Sequence, residues 1–452
     1  MICNLRLSAL DSARLGVRIF HLAVNMLDVS SDPVISSFSS PTRSAPPAAN
    51  HASPVAAPVV RPLSEILPDD PLLMMGAGPV PIPDAVARAN SVVINHLGTT
   101  MSTIITQVKE MARYVFQTRS NWVLGVAGPG SAAMEMAISN LVLPRSKVLC
   151  VVNGFFSARM AEMSNRLDAD VAVLEISEHR AALLDEVEAA ILAHRPDCLT
   201  IVQGETSNTV FNRELPAIAR LAKQHGCMVI VDAVCTLSTM PLEMDAWQID
   251  AVITGGQKGL SSIPGVSLIA FSDEAWTRIG QRVGNNSHWC LDARLASNFW
   301  HKGSYHYTAP VSGVLALHEA LRLVCAETLP TRFDRHARCS RALQQSIEAM
   351  GLKLFAPTAS RLNSVVGIDV PAGLQSARIC SHISERYHVE ISGSFGLPIV
   401  RIGQMGEQCR AHNLFRTVHA LGSTMRDLGV QVDLPTSMAV LENGLQSTNA
   451  VL

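Results

Sequence analysis

Short apolar runs alternate with amphipathic segments over the central part of the chain. Four of these runs have the length of buried strands. They cover residues 147–154, 197–206, 227–234 and 251–258. The segments 182–196 and 215–226 between them repeat apolar residues every three or four positions and end at Pro or Gly, which predicts helices. This βαβ order indicates an α/β fold with a large, doubly wound, mostly parallel sheet.

The pattern changes near residue 330. A long helical segment, residues 332–351, precedes two short strand-like pieces near 363–370 and 398–403. We therefore predict a large domain over residues 66–329 and a smaller C-terminal α/β domain over 330–434. The last stretch, 435–452, shows no strong pattern and is predicted to be a loose tail.

The N-terminal part has a different composition. Residues 31–63 are rich in Ser, Pro and Ala and carry no periodic apolar face, which is typical of a linker. The first thirty residues contain several arginines, but two aspartates and the lack of a long apolar core argue against a targeting segment. We predict a flexible N-terminal extension over residues 1–65.

Composition narrows the partners. The 452 residues are 48% hydrophobic and 16% charged, with a net charge of −2 and a pI near 6.7. No broad basic field attracts nucleic acid or an anionic membrane surface. The apolar runs, such as 143–152, are shorter than the roughly 20 residues of a membrane-spanning helix. Small molecules are the expected partners.

The ten cysteines show no paired spacing, which is expected in a reducing compartment and predicts a cytoplasmic protein. Two local pairs, His288 with Cys290 and His336 with Cys339, have metal-ligand spacing. Each pair lacks a second half-site, so we expect no metal.

Lysine usage draws attention to one loop. The chain has six lysines among its 36 basic residues, and Lys258 lies in the glycine-rich stretch "TGGQKGLSSIPG", directly after an apolar run. One interpretation is an ordinary loop lysine. The other is an amine with a pKa lowered by burial that can add to an aldehyde, which arginine cannot do.

Asp232 closes the preceding apolar run, "CMVIVD". A lone aspartate there would cap a loop, but a buried carboxylate needs a partner. In doubly wound sheets the carboxyl ends of parallel strands meet at the ligand-binding edge, so Asp232 and Lys258 are expected to lie together. A lysine and a carboxylate are what pyridoxal phosphate needs for its aldehyde and its pyridinium nitrogen.

Two further features lie at strand exits. The turn from Gly128 to Ser131 precedes a helical run, where backbone amides can bind phosphate, although many such turns are only tight turns. Phe156 follows the run ending in "VVNG" and can either stack on a cofactor ring or pack in the core.

Residues 70–425 resemble the class V, fold-type I, pyridoxal-phosphate-dependent aminotransferases, most closely the alanine–glyoxylate and serine–pyruvate aminotransferase group. The resemblance is carried by several stretches in the family's order. They are "MGAGPVPIP", "YVFQTRSN", "GPGSAAMEMAISN", "VNGFFSAR", "QGETSNTV", "VDAVCTLSTMPLEMD", "GGQKGLSSIPG", "SYHYTAP" and "VRIGQMG".

The resemblance implies roles for individual residues. Lys258 is the covalent anchor of pyridoxal 5'-phosphate and the proton carrier, Asp232 is the partner of the pyridinium, and Val234 packs against the ring. The implied phosphate contacts are Gly130, Ser131 and Gln257.

The resemblance also implies that Phe156 stacks on the ring and that Ser207 bonds the ring oxygen or the phosphate. Tyr305 and Thr308 reach the phosphate of the neighbouring subunit's cofactor, which implies a homodimer with shared active sites.

Two substrate contacts are implied as well. Arg401, in "VRIG", takes the substrate carboxylate through a bidentate grip suited to guanidinium, and Gly78 lies near the substrate. The chain departs from the group at two positions. Where the group often has tryptophan this chain has Phe156, and where the group often has histidine it has Ser131. Both positions lie around the cofactor, so the two departures argue against carrying over the group's exact pair of substrates.

The expected function is therefore a transaminase that moves an amino group from alanine or serine to glyoxylate or pyruvate. A pyridoxamine–pyruvate transaminase and a lyase of the same fold are the enzymatic alternatives. A non-catalytic binding protein is the third, and the joint presence of Lys258, Asp232 and Arg401 argues against it.

Overall fold

The computed structural model describes residues 17–18 and 56–446. Residues 72–446, with 17–18, belong to one compact unit, and the described residues 56–71 belong to a second. The described part of the second unit, 56–71, is exposed and holds one turn of 3₁₀ helix at Leu63–Glu65. Most of the predicted extension, 1–65, lies outside the described residues.

The described chain contains fifteen strands and thirteen α-helices. The strands are β1 (Val17–Arg18), β2 (Leu73–Met74), β3 (Val123–Ala127), β4 (Lys147–Val152), β5 (Asp170–Glu175), β6 (Cys198–Val202), β7 (Gly204–Glu205), β8 (Val210–Phe211), β9 (Met228–Asp232), β10 (Ala251–Gly255), β11 (Val266–Phe271), β12 (Val365–Asp369), β13 (Val389–Glu390), β14 (Ser392–Gly393) and β15 (Ile399–Gly403). The helices are α1 (Asp84–Asn90), α2 (Thr99–Phe116), α3 (Gly130–Leu141), α4 (Phe155–Asn165), α5 (Leu184–His194), α6 (Leu215–Gln224), α7 (Asp273–Gln281), α8 (Ala293–Lys302), α9 (Val311–Glu327), α10 (Leu329–Ala349), α11 (Ser376–Tyr387), α12 (Ala411–Asp427) and α13 (Leu434–Gln446).

Eight strands form the large sheet, in the order β1-β5-β4-β6-β9-β10-β11-β3. Strands β5, β4, β6, β9 and β10 run parallel to one another, whereas β1 is antiparallel to β5 and β11 is antiparallel to both β10 and β3. The four predicted strands are β4, β6, β9 and β10, so the prediction of a mostly parallel, doubly wound sheet is confirmed.

The inner strands are apolar because helices cover both faces of the sheet. Every residue of β6, β9, β10 and β11 is buried. The large hydrophobic core joins these strands to helices such as α3, whose Ala133, Met136 and Ala137 are fully buried. This packing fixes the strand ends, and therefore the loops that follow them.

A second hydrophobic core lies around the three-stranded sheet β12-β15-β14. Helices α10, α11, α12 and α13 contribute to it, together with Met75 from the segment after β2. Arg401 is the third residue of β15. The division into domains at residues 329 and 330 stays a prediction.

The prediction of a loose tail from residue 435 is wrong for the part of the tail that the structure describes. Residues Leu434–Gln446 form α13, and Leu434, Ser437 and Leu441 are buried. Leu441 belongs to the second core, and Ser437 is hydrogen-bonded to Ser346 of α10. The apolar positions at helical spacing drive this docking against α10.

No helix within residues 17–18 and 56–446 is long and apolar enough to cross a membrane.

Candidate active site

A cavity of about 180 Å³ lies where the carboxyl ends of β9 and β10 meet the first turns of α3 and α4. It is lined by Pro129, Gly130, Ser131, Met134, Phe156, Gly204, Thr206, Asp232, Val234, Cys235, Gln257 and Lys258. Seven of the twelve predicted site residues are among them. Parallel strands bring them together because their ends share one edge of the sheet.

Lys258 follows β10 on a turn, and its ammonium donates a hydrogen bond to the carbonyl of Ala77. Burial lowers the pKa of Lys258, and the positive charge of Arg401 lowers it further, while Cys235 and Asp232 oppose this. A lowered pKa gives the amine a larger neutral fraction, and only a neutral amine is a nucleophile or a base.

Gly78 explains how the lysine reaches the cavity. Its φ is +104°, and a Cβ at this position would lie 2.5 Å from Nζ of Lys258 and 2.8 Å from its Cδ. Any side chain would therefore displace the lysine. Gly78 is absent from the cavity wall itself, but it borders the side chain of Lys258.

Asp232 ends β9 and is 4% exposed. The backbone N–H of Val234 donates to its Oδ1 at 2.7 Å. Burial raises the pKa of Asp232 to about 7, against the lowering effect of the Val234 hydrogen bond. Among the described residues no cation contacts this carboxylate directly, so it can partner a cationic group placed in the cavity.

The first turn of α3 forms the opposite wall. Helix α3 begins at Gly130, and no side chain of the described residues caps its first turn. A Cβ at Gly130 would lie 2.8 Å from Cγ2 of Val234, so glycine leaves this wall open. Free amides at a helix start bind phosphate oxygens. Beside them, Ser131 Oγ accepts a hydrogen bond of 2.9 Å from Arg159.

Gln257 lies next to Lys258 and is 9% exposed. Its amide oxygen is buried and has no hydrogen-bond partner among the described residues. A buried unpaired amide costs free energy unless a ligand satisfies it. Because an amide can turn its NH2 group, a donor, toward a phosphate oxygen, Gln257 together with the open helix start and the Gly130 wall fits a phosphorylated ring bound in the cavity.

Phe156 contributes an aromatic wall near the start of α4. It meets Phe155 edge-on at 5.5 Å and Phe395 edge-on at 5.8 Å between ring centroids. The guanidinium of Arg159 lies 5.1 Å from its centroid. The ring is therefore held on several sides, which suits a stacking role.

Arg401 lies outside the cavity wall and is 5% exposed. Its Nε and Nη2 donate to the carbonyl of Gly393, and its Nη1 donates to the carbonyl of Thr206 at 2.7 Å. Burial lowers the pKa of Arg401 to about 10, while the charge of Glu205 opposes this. Within the described chain, no carboxylate forms an ion pair with Arg401.

Ser207 is placed differently from what its predicted role requires. Its hydroxyl donates to Oε1 of Glu205 at 2.6 Å and accepts from the N–H of Phe155 at 3.0 Å. The adjacent Thr206 lines the cavity instead. The sequence offered two adjacent hydroxyl residues, and only the turn after β7 decides which of them reaches the cavity.

Glu205 and Arg159 were missed by the sequence analysis. Glu205 is fully buried and accepts hydrogen bonds from the N–H groups of Phe156 and Ser157, so it anchors the start of α4. A carboxylate shortly after the predicted strand β6, next to Gly204, was the available signal for Glu205.

Tyr305 and Thr308 lie apart from the cavity. Tyr305 is 57% exposed and contacts the ring of His96 at 6.0 Å between centroids, and Thr308 is exposed. The structure does not bring them to the cavity of their own subunit. Their predicted contact with a neighbouring subunit's cofactor stays a prediction.

The fold and this cavity define an α/β enzyme with a lysine, a carboxylate and an anion-binding helix start at one sheet edge. The chain matches the model of the family "Aminotransferase class-V" over residues 84–417. It belongs to this family.

Individual relatives agree. The alanine–glyoxylate aminotransferase of Oryctolagus cuniculus is 32% identical over 363 residues, which cover 78% of this chain and 92% of that protein. The structure of ureidoglycine–glyoxylate aminotransferase from Bacillus subtilis has a TM-score of 0.81 at 27% identity and covers 84% of this chain and 100% of its own. Pyridoxamine–pyruvate aminotransferase from Mesorhizobium loti has a TM-score of 0.80 at 22% identity, covering 85% and 100%, which shows a shared fold.

The chain is thus a pyridoxal-phosphate-dependent transaminase of fold-type I. The predictions of family, fold, enzyme class and cofactor are confirmed. Bound pyridoxal phosphate supplies an aldehyde that takes up the amino group and a cationic ring that withdraws electrons from it.

Proposed function

We propose that the enzyme moves an amino group from a small amino acid, alanine or serine, to a 2-oxo acid, glyoxylate or pyruvate. The observation that carries the substrate class is Arg401, a buried guanidinium whose hydrogen-bond acceptors are all backbone carbonyls. An incoming carboxylate supplies the charge that this arginine lacks. The alanine donor and glyoxylate acceptor in the names of relatives support the choice of substrates.

In this proposal Lys258 anchors the cofactor and, once free, holds and moves the proton at the substrate's Cα. Its lowered pKa suits that role because a general base works best with a pKa near the working pH. Asp232 holds a proton or a positive charge at the pyridine nitrogen, and Val234 packs against the ring.

The remaining roles follow from position. Gly130, Ser131 and Gln257 hold the phosphate, Phe156 stacks on the ring, and Gly78 leaves room for the lysine and the substrate. Ser207 acts through Glu205 and the start of α4, since its hydroxyl is turned to Glu205. Thr206 takes the cavity position next to it.

The proposal includes a homodimer. Tyr305 and Thr308 are exposed in the single chain, and their hydroxyl groups are available to a neighbouring subunit's phosphate. Analytical ultracentrifugation tests the dimer, and Tyr305→Phe is expected to weaken cofactor binding because it removes the hydroxyl that contacts the neighbouring subunit's phosphate. We also propose that the large and small domains meet at residue 330 and that the enzyme is cytoplasmic.

The deciding experiment mixes the purified holoenzyme separately with alanine, serine, glycine and pyridoxamine, and records the cofactor absorbance and the products. Loss of the lysine-bound cofactor band with formation of pyridoxamine phosphate and a 2-oxo acid supports transamination. Release of ammonia without a second substrate would indicate the lyase, and turnover of free pyridoxamine with pyruvate would indicate the pyridoxamine transaminase.

Lys258→Ala is the matched test of the anchor. It is expected to lower turnover by at least about 10³-fold because both covalent and acid–base functions are lost. Lys353→Ala is the control, since Lys353 has a side chain 84% exposed and pairs with Asp369 away from the cavity. Equal turnover in the two variants would contradict the assignment.

A further inference from the structure

Phe395 was not among the predicted site residues, yet it connects the cavity to Arg401. It lies in the segment 394–398 between β14 and β15, and half of its surface is exposed. Its ring centroid is 5.6 Å from Cζ of Arg401 and 4.1 Å from the centroid of Phe155, with the two rings 8° from parallel. Phe156, which lines the cavity, meets it edge-on.

These contacts extend into an aromatic column, in which two stacked rings lie between two cations. Arg159 lies 5.0 Å from the centroid of Phe155, Phe155 stacks on Phe395, and Phe395 lies against Arg401. Stacked rings and cation–π contacts each stabilise such an arrangement. The column runs from the residue that bonds Ser131 to the arginine expected to hold the substrate.

The segment that carries Phe395 is fastened at both sides. The carbonyl of Gly393 accepts hydrogen bonds from Nε and Nη2 of Arg401. The hydroxyl of Ser394 donates to the carbonyl of Ser207. The ring of Phe395 is therefore held in place by the guanidinium of Arg401 and by the turn that also presents Thr206. Its position beside Arg401 is fixed by these contacts.

We propose that Phe395 is a specificity-determining residue that limits the amino donor to a side chain of about methyl or hydroxymethyl size. This inference rests on the proposed function, because it assumes that Arg401 takes the substrate carboxylate. The Cα of such a substrate is one bond from the carboxylate, so its side chain begins beside the rings that adjoin Arg401.

The physical reason for selection is steric and electrostatic. A longer side chain has to displace a ring that is held by Phe155 and Arg401, and forced packing of this kind is unfavourable. A charged side chain would lose its hydration against apolar rings without a partner. Alanine and serine need neither change.

The test compares kcat/KM of the holoenzyme for alanine and for norvaline, with glyoxylate as acceptor, in the original enzyme and in Phe395→Ala. The variant is expected to raise the norvaline-to-alanine ratio by at least about 10-fold, since one extra methylene against an apolar wall is worth that much in discrimination. Cofactor affinity, measured by absorbance titration, is expected to change by less than about 2-fold.

Phe355→Ala is the control. Phe355 also makes an aromatic contact, 4.3 Å between its ring centroid and that of His179, but it is not part of the column. It is expected to leave the ratio unchanged. Phe395→Leu, which keeps apolar volume, is expected to give an intermediate ratio and serves if the alanine variant folds poorly.

An unchanged ratio in both Phe395 variants, with an enzyme that prefers alanine, would overturn the inference and leave the proposed function standing. If the original enzyme transfers no amino group from any small amino acid, the proposed function fails first. The two failures are therefore distinguishable.

Discussion

Two buried arginines lie in regions that differ in the hydrogen-bond acceptors they offer. Arg332, on α10, is 3% exposed, and its Nη1 lies 2.6 Å from a carboxylate oxygen of Glu327. Its Nη2 also donates to the carbonyl of Gly259, the residue after Lys258. Arg401, on β15, is 5% exposed and donates to backbone carbonyls alone.

The pKa values follow this difference. Burial lowers the pKa of Arg332, and the charge of Glu327 opposes it. Burial alone would raise the pKa of Glu327, but hydrogen bonds and charges of Arg335 and Arg332 lower it to about 2. Arg401 has no such partner within the described chain, and burial lowers its pKa to about 10.

The comparison teaches how to separate a structural charge from a functional one. Where the chain supplies the opposite charge, the pair fixes a piece of scaffold, here the turn behind Lys258. Where only carbonyl oxygens contact the guanidinium and the nearest carboxylate, Glu205, acts without a direct ion pair, the buried cation favours an external anion. This difference motivates the carboxylate-binding role proposed for Arg401.

The largest expected effect is on stability at the paired arginine. Arg332→Met leaves the carboxylate of Glu327 partly uncompensated and is expected to lower the free energy of unfolding by about 3–5 kcal/mol in denaturant titrations. Arg322→Met is the matched control, because Arg322 is half exposed and its pair with Glu319 is on the surface. A much smaller loss is expected there, because solvent screens an exposed ion pair, and equal losses would contradict the distinction.

A similar magnitude is expected for the pH dependence of the cofactor-free protein. The folded-state pKa of Asp232 is raised to about 7, so the folded state keeps a proton that the unfolded state releases near pH 4. Stability therefore falls as pH rises from about 4 to 7, by on the order of 4 kcal/mol from this group.

The measurement is a series of unfolding titrations at several pH values, with Asp232→Asn as reference. The variant is expected to lack this component of the decline. Parallel pH profiles for the two proteins would show that Asp232 is not the group responsible.

The unpaired arginine is expected to affect binding more than folding. Arg401→Gln should raise KM for the amino acid by roughly 100-fold, because a charge-assisted bidentate contact is lost. Its loss of unfolding free energy should be smaller than that of Arg332→Met. Arg401→Lys keeps the positive charge but loses the bidentate guanidinium, so its KM should lie between those of the original enzyme and Arg401→Gln. An unchanged KM in Arg401→Gln would break the comparison.

The smallest expected effect concerns the helix start that binds phosphate. Gly130→Ala places a methyl group 2.8 Å from Cγ2 of Val234 and is expected to weaken cofactor binding by about 10-fold, a cost of overpacking of 1–2 kcal/mol. Gly280→Ala, in α7, has open space around its Cβ and is expected to leave cofactor affinity unchanged. Equal affinities in both variants would argue against a phosphate at this wall.

Much of the cavity could be predicted from sequence, since its residues are anchored to strand ends. Asp232 ends one recognisable buried strand and Lys258 follows the end of the next, and parallel strands must present their ends at one edge. Ser207 shows the limit of this reasoning. It is adjacent to Thr206 in sequence, and the pattern carries no information about which hydroxyl a turn directs into the cavity.

The tail was wrongly predicted, and the aromatic column was missed, for another reason. Leu441 was assigned to a loose tail, although it is buried in the second core. Helix α13 docks only because α10 offers a complementary face, which a local pattern does not display. Phe395 likewise has no local signal, and its contact with Phe155 joins residues far apart in the chain.

The sequence by itself determined the α/β fold and the strands that lead to Asp232 and Lys258, because periodicity and strand-end residues are local properties, and the resemblance of its motifs indicated the family's chemistry. The tertiary structure alone decided that Arg401 lacks a carboxylate partner while Arg332 has one, and that Phe395 lies against Arg401. Whether a buried charge is compensated depends on which distant side chains pack around it, and that is a property of the folded chain alone.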